Sequence, residues 1–329
     1  KNLIFDLNKL AVKFLELEIS DGKTLENDLS LLEAYRRKNL KSLFMKKLAE
    51  SKKSLNQRPL DNKTHYYQYM LSLSPISFLD YEHMYKEGEK DFHSEINESL
   101  ILYYCTNQLY YNTNSLQYAV NSSSKYDKKL HEKTLEFYDS TAYKDPYTDT
   151  LRLCYIAHAN HSNEEAYFEL KKSFLENFHK FSKTVQYNLA VSLINFCRNN
   201  AQRGNDRFIK EEFAYIKLCA EEKLYPHGTF LYMDQYMFMH SVMIACRAGE
   251  YGWAEAFIED HRHELLESVR EQYVNYAYVT LNLRRGKFED ALRYLSQIKN
   301  VDKADKLNIK VFEFNAYYEL NYYNELKAL

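Results

Sequence analysis

The residues best suited to chemistry are two histidines three positions apart, His158 and His161, with Glu164 and Glu165 close behind them. Imidazole and carboxylate groups gathered at one helix end can bind a metal such as zinc. The chain has 11 histidines, however, and histidine also favours helix C-termini, where its positive charge complements the helix dipole. We therefore predict no metal site here.

A second group, His261-Arg262-His263-Glu264, departs from the His-Glu-x-x-His pattern, in which the two histidines lie four residues apart. The sequence also lacks Gly-x-Ser-x-Gly, a phosphate-binding Walker loop and Gly-x-Gly-x-x-Gly. We predict no catalytic residue, no metal and no cofactor, and hence a protein that is not an enzyme.

The five cysteines are odd in number, widely spaced and without a Cys-x-x-Cys pair. This pattern favours reduced thiols in a reducing compartment over a disulfide framework, and it predicts a cytoplasmic location. The sequence has no run of 18 apolar residues, so we expect no membrane span.

The composition favours helices. The 329 residues include only 7 Gly and 4 Pro, whereas average usage would give about 23 and 16. Folds with tight hairpins or phosphate loops need more glycine. The 31 tyrosines have two explanations, a compositional bias of the source and aromatic surfaces used for recognition. The net charge of −2 gives no overall attraction to nucleic acid or to an anionic membrane.

Apolar residues recur at helical spacing along the chain, and we divide it into two regions. Residues 1–124 form a helical N-terminal region of irregular helix pairs, and the polar segment 112–124 ends it. We predict that residues 125–329 form a more regular array of helices joined by short turns. The alternative is that both regions together form one continuous solenoid. The predicted helices of the first region cover residues 2–19, 25–55, 62–73, 76–86 and 92–111.

The stretch from Arg36 to Arg58 contains nine Lys or Arg residues and one acid, Glu50. A solvated face of a long helix explains this charge run. The alternative is a surface for nucleic acid or another acidic partner. Only one aromatic residue, Phe44, lies among the charges, which weakens the nucleic-acid alternative.

The clearest internal repeat joins RAGEYGWAEAFIED, residues 247–260, with RRGKFEDALRYLSQ, residues 284–297. Each copy has Arg, a Gly two residues later, an aromatic two residues after that, and Ala three residues further on. The glycines, Gly249 and Gly286, are 286 − 249 = 37 residues apart. A degenerate third copy places Tyr323 where Phe288 stands, 323 − 288 = 35 residues on. Repeats near 34 residues indicate stacked helical hairpins.

This pattern resembles the tetratricopeptide (TPR) repeat family, most clearly over residues 238–329. The resemblance implies an all-α, right-handed superhelical solenoid of antiparallel helix pairs. It assigns the sharp turn to Gly286, the interhelical aromatic to Phe288 and the close approach to Ala291, with Gly249, Tyr251 and Ala254 in the other copy.

The chain departs from the family at three places. The small residue expected in the first helix falls at Val242 and Val279, and no Pro follows Ile298. The copy around Gly204 keeps little beyond its turn. Over residues 125–237 the resemblance is therefore architectural, and none extends over residues 1–124.

The resemblance also implies a concave groove lined by the first helix of each repeat. The residues that it assigns to this groove are Tyr236, Met239, Met243, Arg247, Tyr273, Tyr276, Thr280, Arg284, Asn308 and Asn315. Aromatic, Met and Arg side chains are enriched in interfaces. The alternative is that the Tyr and Met residues fill the packing between repeats. The family's Lys/Asn clamp for peptide carboxyl termini is absent at these positions.

The leading functional prediction is a scaffold or adaptor that binds a peptide or protein partner in this groove. The alternative is an acidic partner, such as nucleic acid, held by the stretch from Arg36 to Arg58, although the sequence does not favour nucleic acid. We also predict that the uncapped C-terminal end can mediate self-association, because an exposed apolar end of a repeat array is a liability.

Overall fold

The computed structural model describes residues 24–78, 92–121, 127–160, 163–225, 232–298 and 303–329, together with residues 9, 10 and 13. Regular structure in these ranges is helical, apart from two isolated pairs of extended residues, Leu60 with Phe181 and Met233 with Leu265. The predicted all-α class is therefore confirmed for these ranges. Most of the helix predicted over 2–19 and most of the one predicted over 76–86 lie outside them.

The chain divides into two compact units, Lys1–Val185 and Gln186–Leu329. We describe seven helices of the first unit, which also contains short 3₁₀ helices at Ser74–Phe78 and Phe178–Lys180. The helices are α1 (Leu25–Arg37), α2 (Lys41–Leu55), α3 (Asn62–Leu73), α4 (Phe92–Asn121), α5 (Lys128–Ser140), α6 (Pro146–Ala159) and α7 (Glu164–Asn177). The division at residue 124 rests on sequence pattern rather than on compactness, and it stays a prediction.

The second unit has eight helices within the described ranges, and α8 begins just before the division. They are α8 (Lys183–Gln202), α9 (Arg207–Glu221), α10 (Gln235–Arg247), α11 (Tyr251–His261), α12 (Glu267–Arg284), α13 (Phe288–Leu295), α14 (Lys303–Glu319) and α15 (Tyr323–Ala328). A 3₁₀ turn, Arg262–Glu264, follows α11.

Two helix boundaries differ from the sequence prediction. The single helix predicted over 25–55 is two helices, because Asn39 adopts a left-handed conformation with φ of 55° and ends α1. The polar segment 112–124, predicted to interrupt the chain, is helical as far as Asn121. Asn112 and Thr113 are buried there, so tertiary packing supports a helix that local propensity disfavours.

Aromatic residues supply much of the core of the first unit. Tyr138, Tyr147 and Tyr167 are fully buried. The hydroxyl of Tyr138 donates to Asp149 Oδ1 at 2.8 Å, and that of Tyr147 donates to Asn62 Oδ1 at 2.7 Å. Burial, followed by the Asp149 carboxylate, raises the pKa of Tyr138 well above its usual value. Part of the tyrosine content is therefore used in packing, and the hydroxyls of Tyr138 and Tyr147 are hydrogen-bonded as burial requires.

In the second unit, helices pack in two ways. Each helix from α9 to α15 contacts the next one along the chain, and the alternate helices α10, α12 and α14 contact one another in series. Ala254 and Ala291, to which the family resemblance assigns the close approach, have no exposed surface, and neither do Ala245 and Ala277. Small side chains at these points let the helix axes come close together.

One backbone motif ends six of the helices. A residue with positive φ follows the helix, and the N–H of the next residue bonds to a carbonyl five residues back. Examples are Glu250 to Ala245 at 2.8 Å and Lys287 to Asn282 at 2.9 Å. This is the Schellman arrangement, which satisfies carbonyls that the helix leaves open. The positive-φ residues are Asn39, Gly204, Lys223, Gly249, Gly286 and Asn321.

We predict opposite stability changes at two of these positions. Gly286→Ala should destabilise the protein by about 1–2 kcal/mol, because an L side chain is strained at φ of 73°. Lys223→Gly should stabilise it by up to about 1 kcal/mol for the same reason, since Lys223 has φ of 50°. Urea unfolding followed by circular dichroism measures both changes.

The control is Gly252→Ala inside α11, where a new Cβ meets no atom within 4 Å and the backbone is helical. This change should be neutral or stabilising by up to about 1 kcal/mol. Equal destabilisation by Gly286→Ala and Gly252→Ala would show that loss of glycine itself, rather than the left-handed backbone, is responsible.

The cysteines give a second prediction. All five are buried, and none forms a disulfide bond. Burial raises the pKa of Cys105 to about 11 and of Cys219 to about 12, and burial again raises that of Cys246 to about 11. The reactive species is the thiolate, so a disulfide reagent such as DTNB at pH 8 should label all five thiols only after unfolding in urea. Rapid labelling of a native thiol would contradict this.

Candidate functional site

A concave cavity of about 1110 Å³ lies in the second unit. Its wall is formed by α8, α10, α12 and α14, with the turn after α12 and the beginning of α13. Four helices therefore each contribute side chains to one space. The lining side chains of α10 are the most numerous, namely Tyr236, Met237, Met239, His240 and Met243.

Seven of the ten residues assigned to the groove line this cavity. They come from three alternate helices, and they are Tyr236, Met239, Met243, Thr280, Arg284, Asn308 and Asn315. The structure thus brings together side chains that are up to 315 − 236 = 79 residues apart in the chain.

The other three assigned residues do not line the cavity. Arg247 is half-buried at the end of α10. Tyr273 and Tyr276 are buried in α12, as the alternative interpretation of packing between repeats requires. The Tyr273 ring centroid lies 6.4 Å from that of Tyr236, and the Tyr276 ring lies 6.2 Å from that of Phe312. Both buried rings therefore support aromatic residues of the cavity wall.

The lining residues of α8 were missed by sequence reasoning, although a signal existed. Arg198 lies six residues before Gly204, the left-handed residue that ends α8 (204 − 198). Met243, Thr280 and Asn315 hold the same position before Gly249, Gly286 and Asn321 (249 − 243, 286 − 280 and 321 − 315). All four line the cavity. Aligning the chain on the helix-ending residue would have found Arg198.

A polar cluster lies at the cavity wall. Its carboxylate is Glu212 on α9, which has no exposed surface. His240 Nε2 lies 2.8 Å from Glu212 Oε1 and 2.8 Å from Arg198 Nη2, and Arg198 Nε lies 3.5 Å from Glu212 Oε1. Arg198 and His240 line the cavity, whereas Glu212 is not part of the lining and contacts both of them. Glu212 Oε2 has no hydrogen-bond partner in the described part of the chain.

The lining also includes two carboxylates. Asp234 is the N-cap of α10, and its Oδ1 accepts hydrogen bonds from the N–H groups of Tyr236 and Met237 at 2.9 and 3.1 Å. Glu319 is exposed near the end of α14 and makes no salt bridge with a described residue. The cavity therefore combines two guanidinium groups and a histidine with only one carboxylate that is not engaged as a cap.

The basic stretch is less positive than its sequence indicates, because the partners of its charges lie outside it. Glu33 pairs with Arg36 and Arg37, with N···O distances of 2.6 and 2.8 Å. Lys47 lies 2.6 Å from Asp28, and Lys52 pairs with Glu95 on α4. Four of the nine cations thus have a nearby carboxylate.

A second polar cluster is buried in the first unit. Thr106 Oγ1 lies 2.9 Å from His65 Nδ1 and 2.6 Å from Thr148 Oγ1, and His65 Nε2 lies 3.4 Å from Asp145 Oδ1. Burial acts to raise the pKa of Asp145, but hydrogen bonds from His65 and Thr148 leave it below its usual value. Thr106 and Thr148 have no exposed surface, so this Asp–His–Thr group joins α3, α4 and α6 rather than facing a substrate.

The metal candidates gain no support from the geometry. No group of three or more His, Cys, Asp or Glu within the described ranges could hold a metal ion. His158 is buried in α6, whereas His161 lies outside the described residues. His261 Nδ1 lies 3.1 Å from Glu264 Oε1, an ordinary hydrogen-bond distance within the chain.

An apolar stripe on α14 is exposed. Leu307, Val311, Phe314 and Tyr318 are all exposed, at successive spacings of four, three and four residues that place them on one helix face. No contact in the structure identifies what covers this face. The self-association predicted for this end of the chain therefore stays a prediction.

A scan against protein-family models and searches of curated proteins and of solved structures found no match to this chain. Among the described helices, none is both long and apolar enough to cross a membrane.

We predict that the Glu212 cluster is energetically coupled. His240→Leu leaves the buried Glu212 carboxylate without its closest donor and should cost about 1–3 kcal/mol of stability. The double variant His240→Leu/Glu212→Leu should cost less than the sum of the two single changes, because it removes the unpaired charge as well. Urea unfolding of the four proteins gives the coupling free energy.

The matched control is His263→Leu, at an exposed position outside the cluster. Its effect should stay within about 0.5 kcal/mol. Strict additivity of the two changes at His240 and Glu212 would show that the 2.8 Å contact contributes no coupling.

Proposed function

We propose that this chain is a non-enzymatic binding protein whose second unit holds a peptide segment of a protein partner in the cavity. In this proposal the helix pairs are TPR-like repeats, stacked as a right-handed superhelical solenoid. One observation carries the proposal: Arg198, Met243, Thr280 and Asn315 occupy the same position on four different helices and line one cavity. Repeated units that present equivalent side chains to one concave surface are typical of peptide-binding repeat proteins.

The chemistry of the lining supports a protein ligand. Tyr236 is 68% exposed and Met243 is 40% exposed, although both are large side chains with apolar area. Tyr, Met and Arg are enriched in interfaces, and Met adapts its shape to different partners. Asn308 and Asn315 add amide groups that can bond to a peptide backbone.

The size of the cavity is sufficient for a short peptide segment. Small-molecule sites usually measure about 300–1000 Å³. The cavity of about 1110 Å³ exceeds that range, and four helices border it. A chain segment of several residues can fill it.

An acidic partner at the basic stretch is the weaker candidate. Phosphate-backbone binding depends on cations that are free to replace counterions. Arg36, Arg37, Lys47 and Lys52 already have carboxylates beside them. The net positive surface that the sequence predicted is correspondingly reduced.

We predict that peptides selected by this chain bind in the cavity. A phage-displayed library of random 12-residue peptides is selected on the purified wild-type chain, and affinities of the enriched peptides are measured by fluorescence anisotropy. The double variant Tyr236→Ala/Met243→Ala should weaken binding about tenfold or more, since truncated anchor residues of an interface often cost 1–2 kcal/mol each.

The control is Met45→Ala/Tyr111→Ala, which removes one exposed Met and one exposed Tyr from the first unit. It should bind the selected peptides like the wild type. If no peptides are enriched, or if both double variants lose affinity equally, the cavity is not the binding site.

A further inference from the structure

Two contacts of His240 cannot both be hydrogen bonds, and this incompatibility indicates the chemistry of the ligand. One ring nitrogen, Nε2, lies 2.8 Å from both Arg198 Nη2 and Glu212 Oε1. A guanidinium nitrogen only donates, and a carboxylate oxygen only accepts. Nε2 either carries a proton or offers a lone pair, so it can hydrogen-bond with only one of these two groups.

The burial of Glu212 decides between the two possibilities. If Nε2 accepted from Arg198, the remaining contact of the carboxylate would be Arg198 Nε at 3.5 Å, which forms no hydrogen bond. A carboxylate without exposed surface and without a hydrogen bond is costly. We therefore assign the proton to Nε2, so that His240 donates to Glu212.

This assignment leaves Arg198 short of acceptors. Its Nη2 then faces an N–H group, and its Nε is buried without a hydrogen-bond partner among the described residues. The guanidinium keeps an ion pair with Glu212 but no hydrogen bond to it. Its side chain is 37% exposed and lines the cavity, so a group inside the cavity can reach it.

We propose that Arg198 binds the carboxylate of an Asp or Glu side chain in the peptide that occupies the cavity. This inference rests on the proposed function and specifies the chemistry of its ligand. A carboxylate offers two acceptor oxygens that match the planar fork of a guanidinium, and charge-assisted bonds of this kind are strong. Met243, at the equivalent position on α10, then contacts an apolar residue of the same peptide.

The charges around the cavity agree with an acidic ligand. Arg284 is the second arginine in the lining; it is exposed and has no salt bridge with a described residue. Asp234 is engaged as a helix cap, which leaves Glu319 as the one carboxylate that can oppose the ligand's charge. The ligand side chain resolves the conflict at His240 by drawing Arg198 Nη2 away from the ring.

The test uses the peptides selected on the wild-type chain that also lose affinity for Tyr236→Ala/Met243→Ala. These cavity-dependent peptides should share an Asp or Glu at one position. For the tightest of them, replacing that residue by Asn or Gln should lower the affinity for wild type about tenfold or more. The same peptide change should have little effect on binding to Arg198→Gln.

Two further variants serve as controls for misfolding of Arg198→Gln and for nonspecific effects of charge. Arg198→Lys keeps a positive charge beside Glu212 and should give an intermediate affinity, because it lacks the fork. Arg203→Gln removes an exposed arginine that is not part of the lining and should behave like the wild type.

The inference and the proposed function fail in different ways. Cavity-dependent peptides without a shared acidic residue would overturn the inference and leave the proposed function standing. An equal effect of the peptide change on wild type and on Arg198→Gln would do the same. An absence of cavity-dependent peptides would overturn both.

Discussion

Six helices in the described ranges depend on one backbone constraint, a residue in left-handed conformation at the end of the helix. Such a residue turns the chain sharply while the next N–H closes on a carbonyl of the last turn, as between Lys287 and Asn282. The following helix can then start at once and pack back on the first. The cavity uses the same constraint, because four of its lining residues each lie six residues before such a turn.

Sequence reasoning found this constraint where glycine marks it, and only there. Gly249 and Gly286 stand out because glycine is the residue for which positive φ carries no steric cost. Asn39, Lys223 and Asn321 adopt the same conformation, but their residue type alone does not predict it. Asparagine and lysine occur throughout helices as well, so the division of the predicted helix over 25–55 at Asn39 was not visible. Asn321 shows that the degenerate third copy keeps the turn without the glycine.

The candidate site was predictable where helical position decides exposure. Thr280, Arg284, Asn308 and Asn315 follow from projecting a repeat onto the chain, and all four line the cavity. The same projection assigned Tyr273 and Tyr276 to the groove, but both side chains are buried. A large aromatic side chain at the edge of a helix face can rotate into the neighbouring helix. The role of Glu212 was beyond sequence reasoning for a different reason. A carboxylate on an amphipathic helix is ordinarily predicted to face solvent. Its burial depends on tertiary partners that the sequence does not reveal.

The position of Glu212 also bears on what the cavity is for. A buried carboxylate with its partners usually contributes no more stability than a well-packed apolar side chain, so packing alone does not account for it. Its effect on geometry is more specific. By holding His240 through Nε2, it fixes one ring at the cavity wall, and by attracting Arg198 it keeps a guanidinium there with its donors incompletely used. An apolar residue at position 212 would make neither contact and would leave both side chains free to turn away. In the proposed function, this arrangement orients two side chains toward the ligand, and this is why we take an acidic ligand group to complete it.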